Sequence, residues 1–184
     1  VVVISASPMF DRGIPSICYG LRGLAYFQID LRGTKSDLHS GSFGGAVANP
    51  AFVLATVLAQ MKDKANGRIK IPGFYDDVRP LSEAERAEWK KLPFNETRYR
   101  KELGAPKLWG EKDYSTLERV WARPTFEVNG LLSGFTGEGA KTVLPAVAMA
   151  KVSMRLVPDQ EPGKIADLFE AYVKKVTPKT MELK

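Results

Sequence analysis

The chain has 184 residues, 44% of them apolar, with 27 lysines and arginines against 21 acidic residues, a net charge of +6. That apolar fraction supports a real core and excludes a disordered chain, while the excess positive charge is scattered, the pattern of a solvated surface rather than of a nucleic-acid-binding face. No apolar run approaches the roughly 18 to 20 residues needed to span a bilayer, "VVVISASPMF" lacks the basic leader of a signal peptide, and Cys18 is the one cysteine; no membrane partner, no internal disulfide and a cytoplasmic location are expected.

The start of the chain reads as an internal strand. Residues 24–32, "LAYFQIDLR", alternate apolar and polar positions as a half-buried strand does, and Gly33 opens a polar turn. "SDLHSGSFGG" (36–45) holds the lone histidine, His39, in a stretch too glycine-rich for a helix or strand core. "NPAFVLATVLAQMKDK" opens a helix with Asn49 as N-cap and Pro50 at the first helical position. Its apolar content is nearly continuous from Ala51 to Ala59, more than a one-sided surface helix needs, so cover on two sides is expected.

"GRIKIPG" (67–73) reads as a short strand, and residues 74–123, charged, aromatic and proline-punctuated, as a small helical insertion with capping boxes at Ser82/Glu85 and Ser115/Glu118. Strands return at "TFEVNGLLSG" (125–134) and "AVAMAKVSMRLVP" (146–158). A second helix follows, with Ile165, Leu168, Phe169, Tyr172, Val173 and Val176 at helical spacing, and it ends before Pro178. "MELK" begins a last strand that the chain truncates. This order predicts an α+β, ferredoxin-like sandwich over residues 20–184: a four-stranded antiparallel sheet with two helices on one face. Residues 1–19 fall outside that unit, as the end of a neighbouring domain with "GIPSICYG" crossing between the two.

The familiar catalytic constellations do not assemble from these residues. A zinc site needs at least three deprotonated ligands, usually including histidine, and one histidine with one distant cysteine makes no convincing set. There is no G-x-S-x-G elbow, no P-loop and no G-x-G-x-x-G after a strand. His39 therefore has two readings: a surface or capping histidine, or an imidazole offered by its loop to a site outside its own domain, where it can donate to a developing oxyanion. Gly41, Gly44 and Gly45 would let the loop backbone approach a partner closely.

Four stretches, "YGLRG" (19–23), "DLHSGSFGGAVANP" (37–50), "GAKTVLP" (139–145) and "MRLVPDQ" (154–160), with "IPGFYDDVRPLSEAE" before the insertion, resemble the dimerisation, or lid, domain of carnosinase-like two-zinc metallodipeptidases. The resemblance implies a parent enzyme whose separate catalytic domain holds two zinc ions and a glutamate general base. Residues 1–19 would be the remnant of that domain, and the present chain, without those ligands, would be inactive alone. It further implies homodimerisation through the lid, with His39 lent in trans to the opposite active site to polarise the scissile carbonyl. Thr142 matches a loop residue that contacts substrate, and Arg155 the arginine that binds the free carboxylate of a dipeptide, where a guanidinium fork makes two parallel hydrogen bonds. Asp37 and Lys141 read as structural or rim residues.

Dimerisation would also explain the apolar helix, with Leu54, Leu58 and Met61 meeting a twin across a two-fold axis; burial beneath the 74–123 insertion explains it equally well. A competing reading is a stand-alone binding module. "RGLAYFQI" (22–29) partly imitates the aromatic strand of an RNA-recognition fold, but Tyr26 and Phe27 are adjacent, so they point to opposite faces and cannot form one stacking platform. A protein-interaction module with the lid shape and no catalytic half is the other form of that reading.

Overall fold

Alternation of apolar and polar residues dictates three long strands: β1 (Gly23–Arg32), β3 (Thr125–Ser133) and β5 (Val147–Leu156). The computed structural model describes residues 9–184; the strand expected at the start of the chain lies largely outside them. β6 (Glu182–Leu183) completes an antiparallel sheet in the order β3-β5-β1-β6. Along β5 every second residue, Ala148, Ala150, Val152, Met154 and Leu156, is buried, and from β1 Ala25, Ile29 and Leu31 join them. Two helices cover this face: α2 (Pro50–Met61), capped by Asn49 Oδ1 on the Ala51 N–H at 2.9 Å, and α6 (Pro162–Val176). Phe169 of α6 stacks on Phe27 at 4.4 Å, while Tyr26 points to the bare face, 62% exposed. The α+β ferredoxin-like sandwich is thus formed, with strands and both long helices close to the expected bounds.

Two of the three dimer contacts expected on α2 need correction. Leu54 and Met61 are fully buried against the chain's own sheet, and Leu58 is half-buried against the same core, so Leu54 and Met61 have no surface to offer a twin. The cause lies in the composition of α2, apolar on nearly all sides, which hides its inward face. The face left open carries Phe52, Ala55, Thr56 and Ala59 and is covered by neither the sheet nor the insertion.

Residues 67–73 form no strand. They make one isolated bridge, Lys62 to Ile69, and send Ile69 and Ile71 into the core. The insertion contains three short helices, α3 (Glu83–Lys90), α4 (Glu96–Glu102) and α5 (Thr116–Trp121), and both expected capping boxes are present. The glycine-rich loop is more ordered than its composition implies: a two-residue strand, β2 (Leu38–His39), leads into a single helical turn, α1 (Ser40–Phe43). β2 pairs with β4 (Val143–Leu144) beside the start of β5.

Candidate functional site

The loop bearing His39 is tied to the start of β5 by backbone geometry. Asp37 Oδ1 accepts from the Ala146 N–H at 2.8 Å, Leu38 pairs with Leu144 and His39 with Val143, and the Ser40 N–H donates to the Thr142 carbonyl at 3.1 Å. Asp37 is accordingly a structural anchor. These contacts bring the two expected loop residues together: His39 Nε2 lies 3.0 Å from Thr142 Oγ1. The other ring nitrogen, Nδ1, accepts from the Gly41 N–H at 3.1 Å, which makes the His39 side chain the N-cap of α1. His39 is exposed and capping at once. The Thr142 hydroxyl meets the imidazole instead of its own backbone. Lys141 sits at the rim, its ammonium 5.8 Å from the Phe135 ring.

Gly41 and Gly44 serve this turn from inside the chain, a use that the sequence reading assigned to an outside partner. A Cβ on Gly41 would lie 2.8 Å from the imidazole Cε1, and one on Gly44 would lie 2.4 Å from the Ser40 carbonyl oxygen. Gly45, at φ +86°, reverses the chain after the turn.

Arg155 is not part of this cluster. It projects from the far end of β5 on the face the helices leave bare, between Leu24 of β1 and Thr125 of β3. Eight strand residues at about 3.3 Å each put it roughly 26 Å along β5 from Val147, where the His39 loop is anchored. Its guanidinium makes no ion pair among the described residues. Another cation senses its charge. Arg22, just ahead of β1, bonds the Arg123 carbonyl at 3.2 Å; burial first, and then the Arg155 charge, hold it below the ordinary arginine range. Arg22 went unremarked in the sequence although it lies inside the quoted "YGLRG".

A cleft of about 190 Å³ opens beside Arg22, lined by Lys62, Trp109, Arg119, Arg123 and Glu127 among others. Two of its cations are ion-paired, Lys62 with Glu127 at 3.1 Å and Arg123 with the buried Glu111 at 2.7 Å, while Arg22 and Arg119 bond backbone carbonyls. Among the described residues no group of three or more histidines, cysteines or carboxylates is placed to hold a metal ion. Among the described residues no helix is long and apolar enough to cross a membrane.

Comparison with known proteins agrees with the geometry. The chain is 38% identical over 172 residues to the Cys-Gly metallodipeptidase DUG1 of Candida albicans, covering 94% of this chain and 35% of that protein. The M20 family metallo-carboxypeptidase Sso-CP2 of Sulfolobus solfataricus superposes with a TM-score of 0.84 at 35% identity, over 96% of this chain and 46% of that one. Human carnosine dipeptidase 1 superposes at 0.80 with 30% identity, over 90% of this chain and 36% of its own. The chain therefore spans about a third of the length of the curated relatives it matches. The peptidase dimerisation domain family matches residues 19–181. With the family match over most of its length and these relatives, the chain belongs to the dimerisation domain family of the M20 metallopeptidases.

Proposed function

We propose that this chain is the dimerisation and substrate-binding part of a dipeptidase that hydrolyses small peptides with a free carboxylate, and that each active site draws on two copies. The observation that carries the reading is the separation of the groups. A dipeptide is at most about 7 Å long, whereas the His39–Thr142 pair and Arg155 stand at opposite ends of β5. One substrate cannot touch both within a single copy. Two copies related by a two-fold axis bring the His39 end of one toward the Arg155 end of the other.

In this arrangement His39 polarises the scissile carbonyl and stabilises the oxyanion in trans, Thr142 contacts the substrate beside it, and Arg155 grips the terminal carboxylate. The described residues here do not fit a metal; the two zinc ions and the glutamate base implied by the family would be supplied by a catalytic half, of which residues 1–19 are the margin. The chain alone would then be inactive. A single cysteine fits a cytoplasmic enzyme. The face suited to the twin is the open side of α2, with Phe52 75% exposed, continued by Val128 and Leu131 on the edge strand β3. Light scattering on Phe52→Glu should report a monomer; a dimer of unchanged mass would move the interface elsewhere.

The decisive experiment mixes two parent-enzyme variants. His39→Ala is expected to lower kcat by about 2.7 to 4 kcal/mol if it is a main oxyanion donor, and Arg155→Ala to raise KM for substrates with a free carboxylate. In a mixed dimer one site of the two receives both intact residues, and in a 1:1 statistical mixture about half of the dimers are mixed, so activity at low substrate should return to roughly a quarter of the native level. No recovery, with mixed dimers demonstrated, would place all the residues in one copy and overturn the reading.

A further inference from the structure

A neutral imidazole carries one proton, and its two nitrogens cannot both accept or both donate. Here the question of which one carries it is answered by the backbone. The Gly41 N–H is aimed at Nδ1 at 3.1 Å, and an amide nitrogen can only donate, so Nδ1 must present its lone pair. The proton is then on Nε2, 3.0 Å from Thr142 Oγ1. With Nε2–H donating to that oxygen, the hydroxyl proton of Thr142 is left to point outward. A chain of donors results, from Nε2–H through Oγ1–H toward whatever oxygen approaches the loop, and donors linked in this way polarise one another.

We infer that Gly41 is a positioning residue that holds His39 as one tautomer, with Nε2 the donor, and that Thr142 steadies the ring by accepting from that nitrogen, so that Nε2 meets a developing negative charge with its proton and cannot itself serve as a general base. Gly41 does this through its N–H and through its lack of a side chain. A Cβ there would stand 2.8 Å from Cε1 and 3.1 Å from Nδ1 of the ring, and the imidazole would have to leave the cap. Thr142 holds the other side: its carbonyl accepts from the Ser40 N–H at 3.1 Å while its hydroxyl receives the ring proton. The inference rests on the proposed role of His39 only for its catalytic meaning; the tautomer itself is a property of this chain.

The test uses the chain's single histidine. In the 184-residue chain labelled with 15N-histidine, long-range nitrogen–proton correlation should give one tautomer, with Nε2 protonated and Nδ1 carrying the lone pair. Gly41→Ala should shift both nitrogens toward the averaged values of free imidazole. Thr142→Val should keep the tautomer, since Gly41 sets it. Averaged signals in the native chain, a proton on Nδ1, or a Gly41→Ala spectrum identical to the native one would each overturn the inference. In the parent enzyme, Thr142→Val should lower kcat at least tenfold with KM little changed, and Thr142→Ser should restore it; a change confined to KM would make Thr142 a substrate contact alone. If His39→Ala leaves turnover intact while the locked tautomer is observed, the proposed catalytic role falls and the positioning remains.

Discussion

The sandwich and the insertion are held together by different physics. Among the described residues, nineteen buried apolar side chains form one continuous cluster centred between the sheet and two helices, with Ile69, Ile71 and Phe74 joining from the segment that leads into the insertion. In the insertion, the buried residues are largely polar: Glu111, Thr116, Glu118 and Arg123 are each less than 9% exposed. Arg123 grips Glu111 through two hydrogen bonds of 2.7 and 2.8 Å and lies 4.2 Å from the Tyr114 ring centroid. Glu118 caps its own helix through Ser115 and pairs with Arg86 at 3.1 Å. The first region tolerates imperfect geometry because burial of apolar surface is non-directional. The second depends on each partner being in place, because a buried charge without its partner is costly.

Breaking the buried pair should give the largest effect. Arg123→Ala leaves the buried Glu111 with only the exposed Arg68, 4.0 Å away, and is expected to cost about 3 kcal/mol, read by urea unfolding. Glu111→Leu combined with Arg123→Met should recover most of it; if the double variant is as unstable as the single, the pair contributes something beyond mutual neutralisation. In the sandwich, Met154→Ala, at a site with no exposure, should cost about 2 to 5 kcal/mol through the cavity it leaves. Ser115→Ala removes a capping-box hydroxyl and should cost about 1 kcal/mol, with amide exchange rising in α5 before it rises in β5.

The smallest effect is electrostatic, at the seam between the regions. Arg79 bonds Asp159 with two contacts of 2.9 Å, and those hydrogen bonds hold the Asp159 carboxyl below its ordinary range. A depressed carboxylate pKa favours the folded state above the unfolded value of about 3.9, and that contribution is lost as the pH falls through the lower, folded value. Both groups are exposed, so acid titration of Arg79→Ala and the native chain should differ slightly, and only above that window. A difference that grew at lower pH would mean another group is involved.

The same contrast decides what could be read from the sequence. β5 announces itself because alternate burial imposes a period of two, and α6 because its apolar residues fall on one stripe. The capping boxes are local, three residues apart, and were readable for that reason. The Glu111–Arg123 pair obeys no period, since each residue answers a partner brought near by a turn. α2 defeats the method differently: with apolar residues on nearly every side, its sequence does not distinguish Leu54, which is buried, from Phe52, which is not. At the candidate site, resemblance picked out His39 and Thr142 singly. Their contact arises from the pairing of β2 with β4, which spans most of the chain and has no local signature.

The central position of β1 bears on how the molecule reaches this shape. Gly23 pairs with Leu156 and Arg32 with Val147, partners more than half the chain away, and the β6 segment that closes its other edge comes later still. Closing such long loops costs entropy before any contact repays it. β1 must therefore wait for β5 and β6, and folding should be slow, its early intermediates exposing the edges of β1 until both segments arrive.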